Sequence, residues 1–194
     1  VGGHGEKNAG AIETAVVAGG APGREFGGGV VENTLGAPST AASAGGGGGV
    51  TNRGGGRVGR NYDGRIQSAT ASMSVTGKGS AGGLVEENSG GTIRNAAAIG
   101  NVNVTGEFGS AGGLVAENKN GNITNATASG SVTGSDDVGG VIGLIELNDD
   151  GTITNAAASG GGAGSEAAGG CVALIDVGRI TRGRGSGSAR VGDG

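Results

Sequence analysis

Two stretches of this sequence say nearly the same thing: AGGLVEENSGGTIRNAAA from Ala81 and AGGLVAENKNGNITNATA from Ala111, with GTITNAAA returning at Gly151. Each unit opens on Gly-Gly, runs through a short apolar stretch to a Glu-Asn corner, and ends in Gly-x-Ile-x-Asn followed by small residues. Such a repeat constrains the fold before any other feature does. A unit this short cannot bury an apolar face by itself and has to bury it against its neighbours.

With the Gly-Gly pair as marker, units begin at Gly2, Gly27, Gly55, Gly82, Gly112, Gly139 and Gly169, at spacings of 25, 28, 27, 30, 27 and 30 residues. They divide the chain into 1–25, 26–53, 54–80, 81–110, 111–137, 138–167 and 168–194, read as one domain over 1–194. The strongest column is isoleucine: Ile12, Ile66, Ile93, Ile123, Ile153 and Ile180, with Pro38 in its place in the second unit. Two residues on lies a polar column of Thr14, Thr40, Ser68, Asn95, Asn125, Asn155 and Arg182. A smaller apolar column follows at Ala21, Val75, Val132 and Ala189, which Val104 joins if two residues are inserted before it. Ahead of the isoleucine stands a corner of Asn8, Asn33, Asn61, Asn88, Asn118 and Asn148. The fourth unit carries extra residues around Gly100–Val102 and Glu107–Ser110, and the sixth within Val141–Leu147.

Short runs of Val, Ile and Thr broken by Gly, Asn and Ser read as strands and turns. Each unit then holds three strands: the Leu-Val run, the Thr-Ile-x-Asn run and the Ser-Val-Thr run. Stacking places each isoleucine on the one below, and a buried isoleucine contributes roughly 1.5–3 kcal/mol. Asparagine suits the corners because it tolerates left-handed backbone angles. Its amide can also bond to the equivalent amide one coil away. The expected fold is all-β: a parallel β-solenoid of about seven coils, one 25–30-residue repeat per coil. A right-handed path is expected, as for other parallel crossovers. At about 4.8 Å per coil the rod would be roughly 33 Å long.

Composition removes the competing classes. Glycine supplies 51 residues, and the only aromatics are Phe26, Tyr62 and Phe108, too few to build an ordinary globular core. Collagen needs glycine at every third position, a period found nowhere in the chain. Disorder is marked by high net charge and few β-branched residues, whereas the net charge here is −4 and Ile, Val and Thr recur at fixed offsets. The acidic balance argues against nucleic acid as partner. Arg179, Arg182, Arg184 and Arg190 read as a solvated face. No apolar run approaches the ~18 residues of a membrane helix. The chain opens on Val1 without a signal peptide, so a mature product or a portion of something longer is expected.

Chemistry is sparse. His4 stands at an apolar position without companion ligands, and Cys171 replaces Leu84 and Leu114 of other units, which makes it a small buried apolar residue without a base to activate it. Glu146, Asn148 and Asp150 have the spacing of the first half of a calcium loop, but Ala157 stands where the bidentate acid belongs. The Gly-rich openings lack the Lys-Ser/Thr of a phosphate loop. Three Asn-x-Thr sequons occur, at Asn103, Asn122 and Asn125. No catalytic residue, cofactor or metal is expected.

Residues 111–134, AGGLVAENKNGNITNATASGSVTG, resemble the GLUG motif, whose units run Gly-Gly-Leu-Val-Gly-Glu-Asn-x-Gly-x-Ile-x-Asn-x-x-Ala-x-Gly-x-Val-x-Gly. The resemblance is strong over 81–157, fair over 55–77 and weak in 1–53 and 168–194. The glycine after Leu-Val is Glu86 or Ala116 here, so that corner departs from the motif. The motif recurs in secreted and surface-exposed proteins, among them adhesins of the filamentous-haemagglutinin type and some immunoglobulin-A-cleaving peptidases, whose chemistry lies outside the repeats. The resemblance therefore implies a non-enzymatic extracellular, cell-surface module: an adhesin segment or a self-assembling filament subunit. The alternatives are a ligand- or ice-binding solenoid, with Thr92, Asn122 and Thr152 outward, or the stalk of a secreted peptidase. Expected partners are copies of itself, end to end or laterally, or a host or neighbouring cell surface.

Overall fold

The computed structural model describes backbone and side chains for residue 56 and for 58–106, 109–134, 151–163 and 179–185, and the backbone alone of short strands elsewhere between Val16 and Val191. It is an all-β parallel solenoid of about three clear turns, with repeats near 30 residues. One coil shows the plan. Ala81–Gly82 enters a six-stranded glycine sheet, and Val85–Ser89 a four-stranded Glu-Asn sheet. Thr92–Ala98 joins a ten-stranded isoleucine sheet, and Val102–Val104 a second six-stranded sheet of valines. Every named strand pairs in parallel with its equivalent one coil away, as in Val85↔Val115, Ile93↔Ile123 and Val102↔Val132.

The core follows from that register. Ile66, Ile93, Ile123 and Ile153 pair successively and are fully buried, and Ile180 continues the column, partly buried against it. Ile12 lies outside the described residues. Leu84 and Leu114 fill the interior behind the glycine sheet, and Val75, Val102 and Val132 line it from the fourth side. Alanine does the rest: Ala96, Ala126 and Ala156, then Ala98, Ala128 and Ala158, are all buried in register. A narrow interior filled by one large aliphatic per side explains how so glycine-rich a chain can enclose a core at all.

Four features differ from the reading of the sequence. Each coil has four strands rather than three, because the Gly-Gly opening makes its own ladder. A ladder needs only backbone N–H and C=O groups, so a glycine pair qualifies without any β-forming side chain. Val102, not Val104, pairs with Val75, and Val104 pairs with Gly77. No residues are therefore inserted before Val102. The pairing moves from Gly77↔Val104 to Ala81↔Ala111, which places the three extra residues of this coil between Val104 and Ala111, in agreement with the expected site at Glu107–Ser110 but not with that at Gly100–Val102. Finally, the second unit is displaced by one residue: Gly28 pairs with Gly55, Thr34 with Asn61 and Ser39 with Ile66, where Gly27, Asn33 and Pro38 were expected. In the run Gly27-Gly28-Gly29 the marker is degenerate, and the register follows Val31↔Val58 instead.

Candidate functional site

The polar side chains of this solenoid are spent mostly on joining coil to coil. Asn61, Asn88 and Asn118 are fully buried at the end of the Glu-Asn strands. Asn61 Nδ2 donates to Asn88 Oδ1 at 2.7 Å, and Asn88 Nδ2 donates to Asn118 Oδ1 at 2.7 Å. Each amide nitrogen also donates within its own coil to a glycine carbonyl three residues on: Gly64 at 3.2 Å, Gly91 at 3.1 Å and Gly121 at 3.1 Å. Those carbonyls fix which end of each amide is the donor. The glycine is obligatory for space as well. A Cβ on Gly91 would collide with the amides of Asn61 and Asn88, and one on Gly121 with those of Asn88 and Asn118. Asn-x-x-Gly is thus one device, an inward amide with a cleared seat.

A second ladder runs along the outside. Asn95, Asn125 and Asn155 have φ of 51°, 54° and 53°, and Ser68 and Arg182 hold the same left-handed conformation, at 52° and 56°, in the flanking coils. Asn125 Nδ2 donates to Asn95 Oδ1 and Asn155 Nδ2 to Asn125 Oδ1, each at 3.1 Å. The left-handed residue interrupts the inward–outward alternation. Arg94 and Asn95 both face solvent, so Ile93 and Ala96 both face the core. The corner therefore lets one strand bend and still line two sides of the interior. The left-handed column at the other corner is Asp63, Gly90 and Asn120, two residues beyond the buried amides.

Beside the buried ladder lies a cluster of five charges. Arg60 Nε stands 2.9 Å from Glu87 Oε2 and 3.7 Å from Glu86 Oε2. Lys119 Nζ stands 2.6 Å from Glu117 Oε2 and 3.6 Å from Glu87 Oε1, and Ser80 Oγ donates to Glu117 Oε1 at 3.1 Å. Tyr62 meets Arg60 through its hydroxyl at 2.9 Å. Glu86 is fully buried, at the position that Ala116 takes one coil on. Oxygens of Glu86, Glu87 and Glu117 lie within 4.8 Å of one another, close enough for a cation. Arg60 and Lys119 already supply positive charge there, and a metal ion would have to displace the Lys119 ammonium. The sequence reading missed this cluster. Its signal was the column Arg60, Glu87 and Glu117, each five residues after the marker glycine of its unit, Gly55, Gly82 or Gly112.

The other sequence candidates fall as follows. Asn122 is exposed, Thr92 and Thr152 are half-buried, and Asn103 is exposed with its Oδ1 accepting from Thr133 Oγ1 at 2.8 Å. Asn125, the third sequon, belongs to the outer ladder. His4, Glu146, Asn148, Asp150 and Cys171 lie outside the described residues. Among the described residues no helix is long and apolar enough to cross a membrane.

No curated protein matches the chain. Its central coil, with a glycine opening, a buried Asn-x-x-Gly seat and an Ile-x-Asn strand, does have a counterpart among known repeats: residues 109–133 match the GLUG motif.

Proposed function

We propose that this protein is a non-enzymatic structural module of an extracellular surface protein, built as about seven right-handed coils of which each repeat supplies one. The observation that carries the reading is the use made of its polar groups. Two asparagine ladders and the Arg60–Glu87–Lys119 cluster bind coil to coil, so the polar groups with partners serve the stack itself. The placement outside the cell rests on the motif shared over 109–133. Antibody labelling of intact source cells, with and without protease shaving, tests it. Labelling that shaving removes is the expected result, and labelling only after lysis rejects the surface role.

The same architecture supports a filament subunit. Its parallel ladders have the same register on both sides of a coil, so a coil edge is a template for another, and heterologous pairing that does not close extends without limit. Sedimentation of the purified 194-residue chain at micromolar concentration should show polymer. A stable monomer would leave the adhesin-segment role alone.

A further inference from the structure

Carboxylates are shared unevenly among the sheets. The four-stranded Glu-Asn sheet carries Glu32, Glu86, Glu87 and Glu117, together with Arg60 and Lys119. None of the ten strands of the isoleucine sheet contains an aspartate or glutamate. What that sheet turns outward instead is arginine: Arg65, Arg94, Arg179 and Arg184 from its strands and Arg182 from the left-handed corner, all exposed. Among the described residues none of the five has a carboxylate partner, and Asp63, the nearest in sequence, sits on the preceding corner. Among the described residues, a chain of net charge −4 thus presents one sheet whose outward charges are all positive: Arg65, Arg94 and Arg179 before the left-handed corner, Arg182 on it and Arg184 beyond it.

The spacing on that face is regular. One outward column reads Arg65, Thr92, Asn122, Thr152 and Arg179, so two guanidinium groups stand four ladder steps apart, roughly 19 Å. Between them lie neutral amides and hydroxyls in ranks one strand apart. We propose that this face binds an extended polysaccharide bearing carboxylate groups, laid along the rod. Arginine pairs with carboxylate through two parallel N–H donors. The Asn and Thr ranks offer donors and acceptors to sugar hydroxyls, and one sugar unit of an extended chain is about as long as a coil is high. Nucleic acid fits less well. Its strands have no aromatic side chain on which bases could stack. The inference rests on this face alone, whatever the location of the protein.

Affinity electrophoresis of the full chain through gels containing polygalacturonate or neutral dextran tests it, with a DNA duplex and a single-stranded oligonucleotide as competitors. Arg179→Gln, Arg182→Asn and Arg184→Gln are combined in one variant; asparagine at 182 matches Asn95, Asn125 and Asn155 in the same left-handed column, which preserves the corner. Lys78→Gln removes an exposed cation from the bend that follows Ser74–Gly77, a strand of the valine sheet. We expect retardation by polygalacturonate and not by dextran, weakening with added salt. The triple variant should lose about tenfold or more in affinity, with an unchanged melting curve, and K78Q should bind as the wild type. No retardation at low ionic strength, equal retardation of the triple variant, or stronger binding to either DNA would overturn the proposal.

Discussion

Asn88 receives a hydrogen bond from Asn61 and gives one each to Asn118 and Gly91, all without contact to water. Truncating it strands a donor on one side and an acceptor on the other, and each buried orphan costs about 1–3 kcal/mol. Asn88→Ala should therefore destabilise by about 2–5 kcal/mol in urea titration. A loss below 1 kcal/mol would mean that water fills the gap and that the ladder contributes little. The outer ladder works differently. Asn125 is exposed, and its value lies in the left-handed corner it accepts. An L-residue without a short polar side chain pays roughly 1–2 kcal/mol in that conformation. Asn125→Ala should lose about that much, whereas Asn125→Gly should stay within about 0.5 kcal/mol. If both variants lose equally, the amide bonds and not the backbone angle carry the corner.

Within a strand the two faces have unlike jobs. Ile123 pairs with Ile93 and Ile153 and is fully buried, while Asn122 beside it is exposed. Ile123→Ala opens a cavity between two neighbours and should cost about 2–5 kcal/mol. Asn122→Ala should stay within about 0.5 kcal/mol. Denaturant midpoints measured side by side check the pair. Close backbone approach is the other constraint on the coil: Gly100, Gly130 and Gly160 form a column in which a Cβ would strike the carbonyl of Met73, Gly100 or Gly130 in the coil before. This accounts for part of the glycine content as a packing requirement. The repeat could be read as elements because hydrophobic period and turn chemistry agree in the units from Ala81 and Ala111, from Leu-Val to Asn-x-x-Gly to Ile-x-Asn. The ladder made by Gly-Gly could not, since it has no side chain that announces a strand.

At the scale of the whole molecule, the five-charge cluster is, among the described residues, the one group of carboxylates close enough to hold a cation. Arg60 and Lys119 already sit among Glu86, Glu87 and Glu117. A chelator should therefore leave the melting temperature unchanged, because metal binding stabilises only a fold that uses it. A drop of several degrees would give a metal-binding role to the three glutamates or to Glu146, Asn148 and Asp150. Raising ionic strength should have little effect on the cluster for a related reason: Glu86 and Glu87 are buried, and buried pairs are screened much less than exposed ones.

Sequence alone determined the class of this protein. A period of 27 or 30 residues, with Ile66, Ile93, Ile123 and Ile153 at matching places and asparagine at the corners, admits little besides a stack of coils, because so short a unit has nowhere else to hide its isoleucine. Tertiary structure decided what depends on register. It put Val102 rather than Val104 opposite Val75, and moved the second unit by one residue. It also gathered Arg60, Glu87 and Glu117 into one charged cluster and set Arg65, Arg94, Arg179 and Arg184 on a sheet whose strands carry no acid. The reason is physical. Local sequence specifies which residues turn and which bury, but where glycine runs erase the side-chain marker the backbone ladders choose the alignment, and alignment decides which charges meet.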